Sequence, residues 1–200
     1  MLPTLTTERL QVTHMATGHG ALLADFFRRN DRHLAPWDPP RPAGVMHAAY
    51  WESECERAVE DYEDGAVVRW VMLLRDGPPQ AIGRINFTQI ARGPFQSCML
   101  GYAIDAAHEG RGLMQEALQA TIGHVFGILG LHRVQANYVV DNRRSGRLLE
   151  RLGFRREGIA RQYLFINGAW RDHVLTARLN ADFDASLFAP RSNATPTQPA

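Results

Sequence analysis

The stretch from Met99 to Leu118 constrains this chain more than any other. Met99-Leu100-Gly101-Tyr102-Ala103-Ile104 has the character of an apolar strand. A short loop with Gly110 and Gly112 follows, and an amphipathic helix begins at once. A helix start leaves about four backbone N–H groups without intrahelical partners, and the helix dipole is positive there. Glycines just before it let the backbone approach a ligand with no Cβ in the way. A strand, a glycine loop and a helix in this order make a main-chain site for phosphate or pyrophosphate.

Nucleotide motifs of other kinds are excluded on detail. No Gly-x-x-x-x-Gly-Lys-Ser/Thr occurs, so this is not a P-loop. A dinucleotide fingerprint needs Gly-x-Gly-x-x-Gly with an acid roughly 20 positions on. Gln115 occupies the place of the third glycine.

Periodicity supplies the frame. Glu8 to Met15 reads as a first strand with Leu10, Val12 and His14 on one face, and residues 18–30 read as a helix. Four prolines between Asp31 and Pro42 make that segment a stiff loop presenting Trp37. A helix over 47–63 precedes strands over 67–74, 80–90 and 97–104, joined by turns at Asp76-Gly77-Pro78-Pro79 and Arg92-Gly93-Pro94. A helix over 113–129, a strand over 134–140 and a helix over 142–152 follow, the last ended by Gly153. Two strands, 154–166 and 169–179, pair across Asn167-Gly168. A meander followed by a strand–helix–strand crossover gives a mixed sheet with helices on both faces.

Two hundred residues, 45% apolar and 22% charged, suit one soluble domain over 1–186, with residues 187–200 as a loose tail. A net charge of +1 gives no global attraction to nucleic acid or to a membrane. Cys55 and Cys98 are too few for a disulfide framework, and the eight scattered histidines form no zinc motif. No apolar run approaches the ~18 residues of a membrane span. A cytoplasmic protein without metal or membrane is expected.

Two motifs then resemble the GNAT superfamily of acyl-CoA-dependent N-acetyltransferases. Glu109-Gly110-Arg111-Gly112-Leu113-Met114 is similar to its Gln/Arg-x-x-Gly-x-Gly/Ala pyrophosphate loop, and Asn142 to Phe154 is similar to its Asn-x-x-Ser and Gly-Phe segment. Asn30 to Trp37, Leu131 to Tyr138, and Asn167 to Val174 resemble its ribosomal-protein N-terminal-alanine acetyltransferase subgroup, so the likeness runs from about Thr6 to Leu179. Glu109 stands where the family commonly has Gln or Arg. Met114 replaces the wider superfamily's Gly or Ala, as in the subgroup.

The resemblance implies an α/β (α+β) fold, a mixed, mostly antiparallel sheet of six to seven strands flanked by about four helices. It implies direct acetyl transfer from acetyl-CoA to a protein N-terminal α-amine, with alanine of a ribosomal protein as the acceptor. It assigns Tyr102, Ala103 and Ile104 to the pantetheine arm through their main chain, and Gly110, Arg111, Gly112, Leu113 and Met114 to the pyrophosphate. Asn142 is a pantetheine contact, an N-cap, or both. Ser145 and Tyr138 are the two candidates for the general acid at the sulfur. Glu109, His108 and Asp172 are candidate bases, and a water relay needs none of them. His33, Trp37, Asn86, Tyr163 and Trp170 are candidate walls of the acceptor site, and Asp172 is expected to pair with an Arg. The expected partner is a protein N-terminus, that of a ribosomal protein, with no direct nucleic-acid motif and no membrane; the chain is expected to be a monomer or homodimer. Two other functions stay open. One is acetylation of a small amine such as an antibiotic, amino acid or polyamine. The other is non-catalytic acyl-CoA binding or ribosome assembly.

Overall fold

In the computed structural model, which describes residues 1–188, the chain forms one nine-stranded sheet with two helices on each face. Strands are β1 (Thr4–Thr6), β2 (Leu10–His14), β3 (Val68–Leu74), β4 (Ala81–Ala91), β5 (Ser97–Ile104), β6 (Arg133–Gln135), β7 (Tyr138–Val139), β8 (Arg155–Ile166) and β9 (Ala169–Leu179). Helices are α1 (Gly20–Leu34), α2 (Ala48–Glu63), α3 (Leu113–Gly127) and α4 (Arg143–Arg151). The order across the sheet is β1-β2-β3-β4-β5-β6-β9-β7, with β8 on β9. Among the described residues only the β5–β6 pair is parallel.

The sheet thus has nine strands, not six to seven. β1 is three residues long, below the length at which alternation can be read. It pairs on the edge through Leu5↔Val12. The strand expected over 134–140 is broken in two. The Asn137 side chain accepts the Thr176 N–H at 3.2 Å, taking a place that backbone would hold in a continuous ladder.

Each face has its own core. Leu10, Val12, Trp70, Ile85, Phe87 and Leu100 meet Leu113, Ala117, Leu118, Ile122 and Val125 of α3 and Leu149 of α4. The α3 positions recur at helical spacing, so the buried stripe itself fixes how the helix lies on the sheet. On the other face Val71, Ala81 and Ala103 meet Leu23, Phe26 and Phe27 of α1 and Trp51 and Cys55 of α2. Burying each large apolar side chain stabilises by roughly 1.5–3 kcal/mol. The β8–β9 turn has φ of +47° at Asn167 and +77° at Gly168, the two left-handed residues of a type I′ hairpin.

Helix α1 runs on to Leu34, four residues past the expected end. Proline begins only at Pro36, so nothing stops the helix earlier. His33 is therefore a helix residue and not part of the proline-rich loop. The expected tail over 187–200 lies almost wholly outside the described residues. Among the described residues no helix is long and apolar enough to cross a membrane.

Candidate active site

The sheet opens at its centre. β5 and β6 pair from Ser97↔Arg133 to Met99↔Gln135 and no further. The chain then continues as β7, which pairs with β9 alone. From Leu100 onward this edge of β5 has no strand partner. On its other edge the Asp105 N–H donates to the Ile82 carbonyl at 2.8 Å. Antiparallel alternation then turns the main-chain groups of Gly101 and Ala103 toward β4, and those of Tyr102 and Ile104 into the opening. The open rail is thus Tyr102 and Ile104. Ala103 contributes a buried side chain to the α1–α2 face.

At the end of this rail lies the glycine loop. Gly110 and Gly112 have φ of +73° and +78°, where an L side chain costs roughly 1–2 kcal/mol. The first helical bond of α3 is Glu116 N–H to the Gly112 carbonyl, at 3.1 Å. The six amides from Gly110 to Gln115 donate to no protein acceptor among the described residues. Leu113 and Met114 bury their side chains at 1% and 6% exposure, leaving their amides as their contribution. Six consecutive free donors at the positive end of a helix form an anion cradle.

Side chains from distant parts of the sequence hold the loop. Arg9 donates from Nη1 to the Arg111 carbonyl at 2.9 Å and pairs with Glu116 at 2.7 Å. Thr7 Oγ1 donates to the same Glu116 carboxylate at 2.6 Å. Burial would raise the Glu116 carboxyl, but these Thr7 and Arg9 bonds outweigh it and hold it below the usual range. From α1, Asn30 Oδ1 accepts the Ala106 N–H at 2.9 Å, and Arg29 pairs with the buried Asp105. Nothing local in the sequence links Thr7 and Arg9 to the first turn of α3, more than 100 residues away.

Glu109 turns toward α1 and α4. It pairs with Arg144 and lies 3.2 Å from His33 Nε2. Its charge is compensated there. Burial first, and then Arg144, pull the His33 pKa below the usual value.

Across the opening stand three hydroxyls. Tyr102 Oη and Ser145 Oγ are hydrogen bonded at 2.7 Å. Burial pushes the Tyr102 phenol up to about 12, so it stays protonated near neutral pH. Tyr138 packs on α4, where a Cβ added at Gly146 would lie 2.8 Å from its hydroxyl. Asn142 is the N-cap of α4, accepting the Ser145 N–H at 3.1 Å, so it also orients the Ser145 backbone. The Tyr102 hydroxyl had no reading from sequence. The alternation of Leu100, Tyr102 and Ile104 on one face was the signal available.

The five acceptor-wall candidates do not converge. His33 stands at Glu109, and Asn86 lies in a cavity on the α1–α2 face. The Tyr163 hydroxyl accepts from Asn137 Nδ2 at 3.2 Å, beside β7. Trp37 is 39% exposed in the proline-rich loop, and Trp170 is 60% exposed against Phe165 at the hairpin tip. Trp170 precedes by four residues Val174, the partner of Tyr138, about 13 Å along the strand. Asp172 accepts the Gln162 N–H at 2.8 Å and makes no ion pair among the described residues, correcting the expected Arg partner. Of the base candidates, Glu109 and His108 adjoin the loop, while Asp172 is spent on the hairpin. The Cys55 and Cys98 thiols are buried, and burial pushes both up to about 12, which removes them as nucleophiles.

Comparison with known proteins agrees with this geometry. The Acetyltransferase (GNAT) domain family matches residues 9–155. The [Ribosomal protein uS5]-alanine N-acetyltransferase of Escherichia coli is 40% identical over 179 residues, covering 90% of this chain and 92% of that protein. The crystal structure of ribosomal-protein-S5-alanine acetyltransferase from Vibrio fischeri superposes with a TM-score of 0.88 at 34% identity, covering 91% of this chain and 99% of that one. Mycobacterium smegmatis RimJ in complex with CoA-disulfide shares the fold, with a TM-score of 0.80 at 24% identity, covering 95% of this chain and 89% of that one. By sequence, by fold and by the build of its central opening, the chain belongs to the GNAT family of N-acetyltransferases.

Proposed function

We propose that this protein transfers an acetyl group from acetyl-CoA to the N-terminal α-amine of a ribosomal protein, with alanine as the acceptor residue. The six free amides at the start of α3, at the end of an unpaired strand edge, carry this reading. The names of the relatives, alanine N-acetyltransferases of a ribosomal protein, support the acceptor. We assign the activity to one domain over residues 1–186 and place it in the cytoplasm, where such an acceptor is made.

The residues fit the cofactor. Gly110, Arg111, Gly112, Leu113 and Met114 would hold the pyrophosphate through main-chain N–H groups. Tyr102 and Ile104 would hold the pantetheine amides as a strand edge holds a neighbour. When bound, acetyl-CoA supplies an activated acetyl thioester.

The chain's own groups then perform three tasks, and water performs a fourth. The opening holds the two reactants side by side, which replaces a bimolecular encounter by a local one. Ser145 Oγ, fixed by Tyr102 and by its place in the first turn of α4, stands ready to give a proton to the departing sulfur. Tyr102, protonated near neutral pH, replenishes it through the 2.7 Å bond and regains its own proton from water in the opening. The α-amine loses its proton to water in the opening, for which no fixed base is required.

Free-thiol release with a panel of acceptors tests the reading. Short peptides beginning with Ala, Ser or Met are compared with spermidine and an aminoglycoside. Turnover of the Ala peptide that vanishes when its α-amine is blocked is the expected result. Turnover of small amines alone refutes it.

A further inference from the structure

A cavity of about 220 Å³ lies on the α1–α2 face beneath the proline-rich loop, lined in part by Phe27, Asp38, Arg41, Arg69, Arg84 and Asn86. Its charges are unequal in state. Arg41 holds Asp38 at 3.0 Å, Arg69 pairs with Asp61, and Glu54, which also lines the cavity, pairs with Arg57. Arg84 makes no ion pair among the described residues. Its Nε is buried without a hydrogen-bond partner. With the Asn86 amide turned, that oxygen lies 3.3 Å from Arg84 Nη1, the one hydrogen-bond partner of the guanidinium among the described residues, while the Asp38 charge acts on it from farther off. The Arg84 guanidinium lies 5.0 Å from the centre of the Phe27 ring. A guanidinium stays charged when buried, and an unpaired buried charge is costly unless something arrives to pair it.

The two β4 residues that line the cavity lie on the strand next to β5. Arg84 pairs in register with Ala103, and Asn86 with Gly101. A Cβ at Gly101 would meet nothing within 4 Å, so the surface between Asn86 and the open edge of β5 is bare. Neighbouring strands lie about 4.8 Å apart, and an extended peptide rises about 3.3 Å per residue. A chain whose α-amine sits in the opening reaches the cavity with its second to fourth residue.

We propose that Arg84 is a specificity residue that recognises the carboxylate of an acidic side chain near the N-terminus of the acceptor. The proposal rests on the N-terminal acetylation reading above. Two parallel N–H···O bonds from a planar guanidinium suit a carboxylate. The volume favours a side chain over a whole ligand, since small-molecule sites run to about 300–1,000 Å³. A polyamine acceptor would meet a like charge here.

The test uses peptides beginning with Ala that carry Glu or Gln at the second, third or fourth position, with kcat/KM measured for each. At one position the Glu peptide should exceed its Gln partner by about tenfold to a hundredfold, the range of a charge-assisted buried contact. In Arg84→Gln that ratio should fall toward one. Arg84→Lys, which keeps the charge and loses the fork, should retain part of it. An unchanged ratio in Arg84→Gln, or no preference at any position in the unaltered enzyme, overturns the proposal. Should no peptide turn over, the acetylation reading fails by itself. Calorimetry with α-amine-blocked Glu and Gln peptides still reads the cavity: tighter Glu binding that depends on Arg84 supports the proposal, and equal binding overturns it. Arg84-dependent acetylation of free glutamate with peptides ignored overturns the peptide assignment.

Discussion

Gly112→Asp places a fixed carboxylate inside the amide cradle, and its consequences follow from the local geometry. The residue has φ of +78° and is the N-cap of α3. Leaving glycine costs roughly 1–2 kcal/mol there, with Asp among the residues that tolerate it best. An Asp N-cap is worth roughly 0.5–2 kcal/mol over Ala but only a few tenths over Gly, so the net stability loss is about 1 kcal/mol. The new Cβ has only Arg9 Nη2 nearby, at 3.5 Å, an ordinary contact. Binding suffers much more. A carboxylate about 4 Å from one phosphate charge is repelled by about 4 kcal/mol at an effective dielectric of 20, a thousandfold in affinity. Arg9 offers little screening because Glu116 already neutralises it. Calorimetric titration with coenzyme A should show a loss of a hundredfold or more, by the same Coulomb estimate with partial screening. The melting temperature should fall by no more than a few degrees. Gly112→Ala separates strain from charge and should lose much less affinity. Binding of coenzyme A by Gly112→Asp within about threefold of the unaltered protein, well below that Coulomb estimate, would refute the amide-cradle reasoning.

Three further outcomes follow from the same structure. Ser145→Ala should lower kcat by about a hundredfold, the low end for a lost general acid, while the Kd for coenzyme A stays within a few-fold; an unchanged kcat in stopped-flow thiol release would remove Ser145 from the mechanism. Arg9→Met frees the Arg111 carbonyl and the Glu116 carboxylate, so it should raise the coenzyme A Kd about five- to tenfold, the loss of roughly 1 kcal/mol of loop ordering; an unaltered Kd would show that the clamp is dispensable. His14 is buried with neither ring nitrogen hydrogen bonded among the described residues, and burial pulls its pKa to about 4 from 6.5. The unfolded chain then takes the proton first, so stability is fully present above about pH 6.5 and declines toward pH 4, by at most about 3 kcal/mol for this group. Urea midpoints at pH 7.5 and 5 should differ in that direction, with a smaller difference in His14→Phe, and equal midpoints would contradict the assignment.

What was legible in the sequence was local. The buried stripe of α3, the alternation of Leu10, Val12 and His14, and the Asn167-Gly168 turn each announce themselves within a few residues, since period and turn chemistry are short-range properties. The glycine loop was legible for the same reason, as only glycine readily takes the backbone it needs. Its scaffolding was hidden. Arg9 and Glu116 are 107 positions apart, and no propensity links them. The division of one strand into β6 and β7 turns on the Asn137 amide finding Thr176, which requires β9 to be in place. His33 lies on α1 and not in the loop because the first proline, three residues after it, does not end the helix before Leu34. Nothing in the sequence of the strand over 80–90 singles out Arg84. Its isolation became visible only once the partners of Arg41 and Arg69 were known.

On the proposed reading an α-amine, and no other nucleophile, attacks at the opening between β5 and β7. Its most direct test is tandem mass spectrometry of an Ala-initiated peptide that also contains Lys and Ser, after incubation with the enzyme and acetyl-CoA. The account predicts an acetyl group on the N-terminal nitrogen alone. Acetyl on the Lys or Ser side chain with a free α-amine would contradict it.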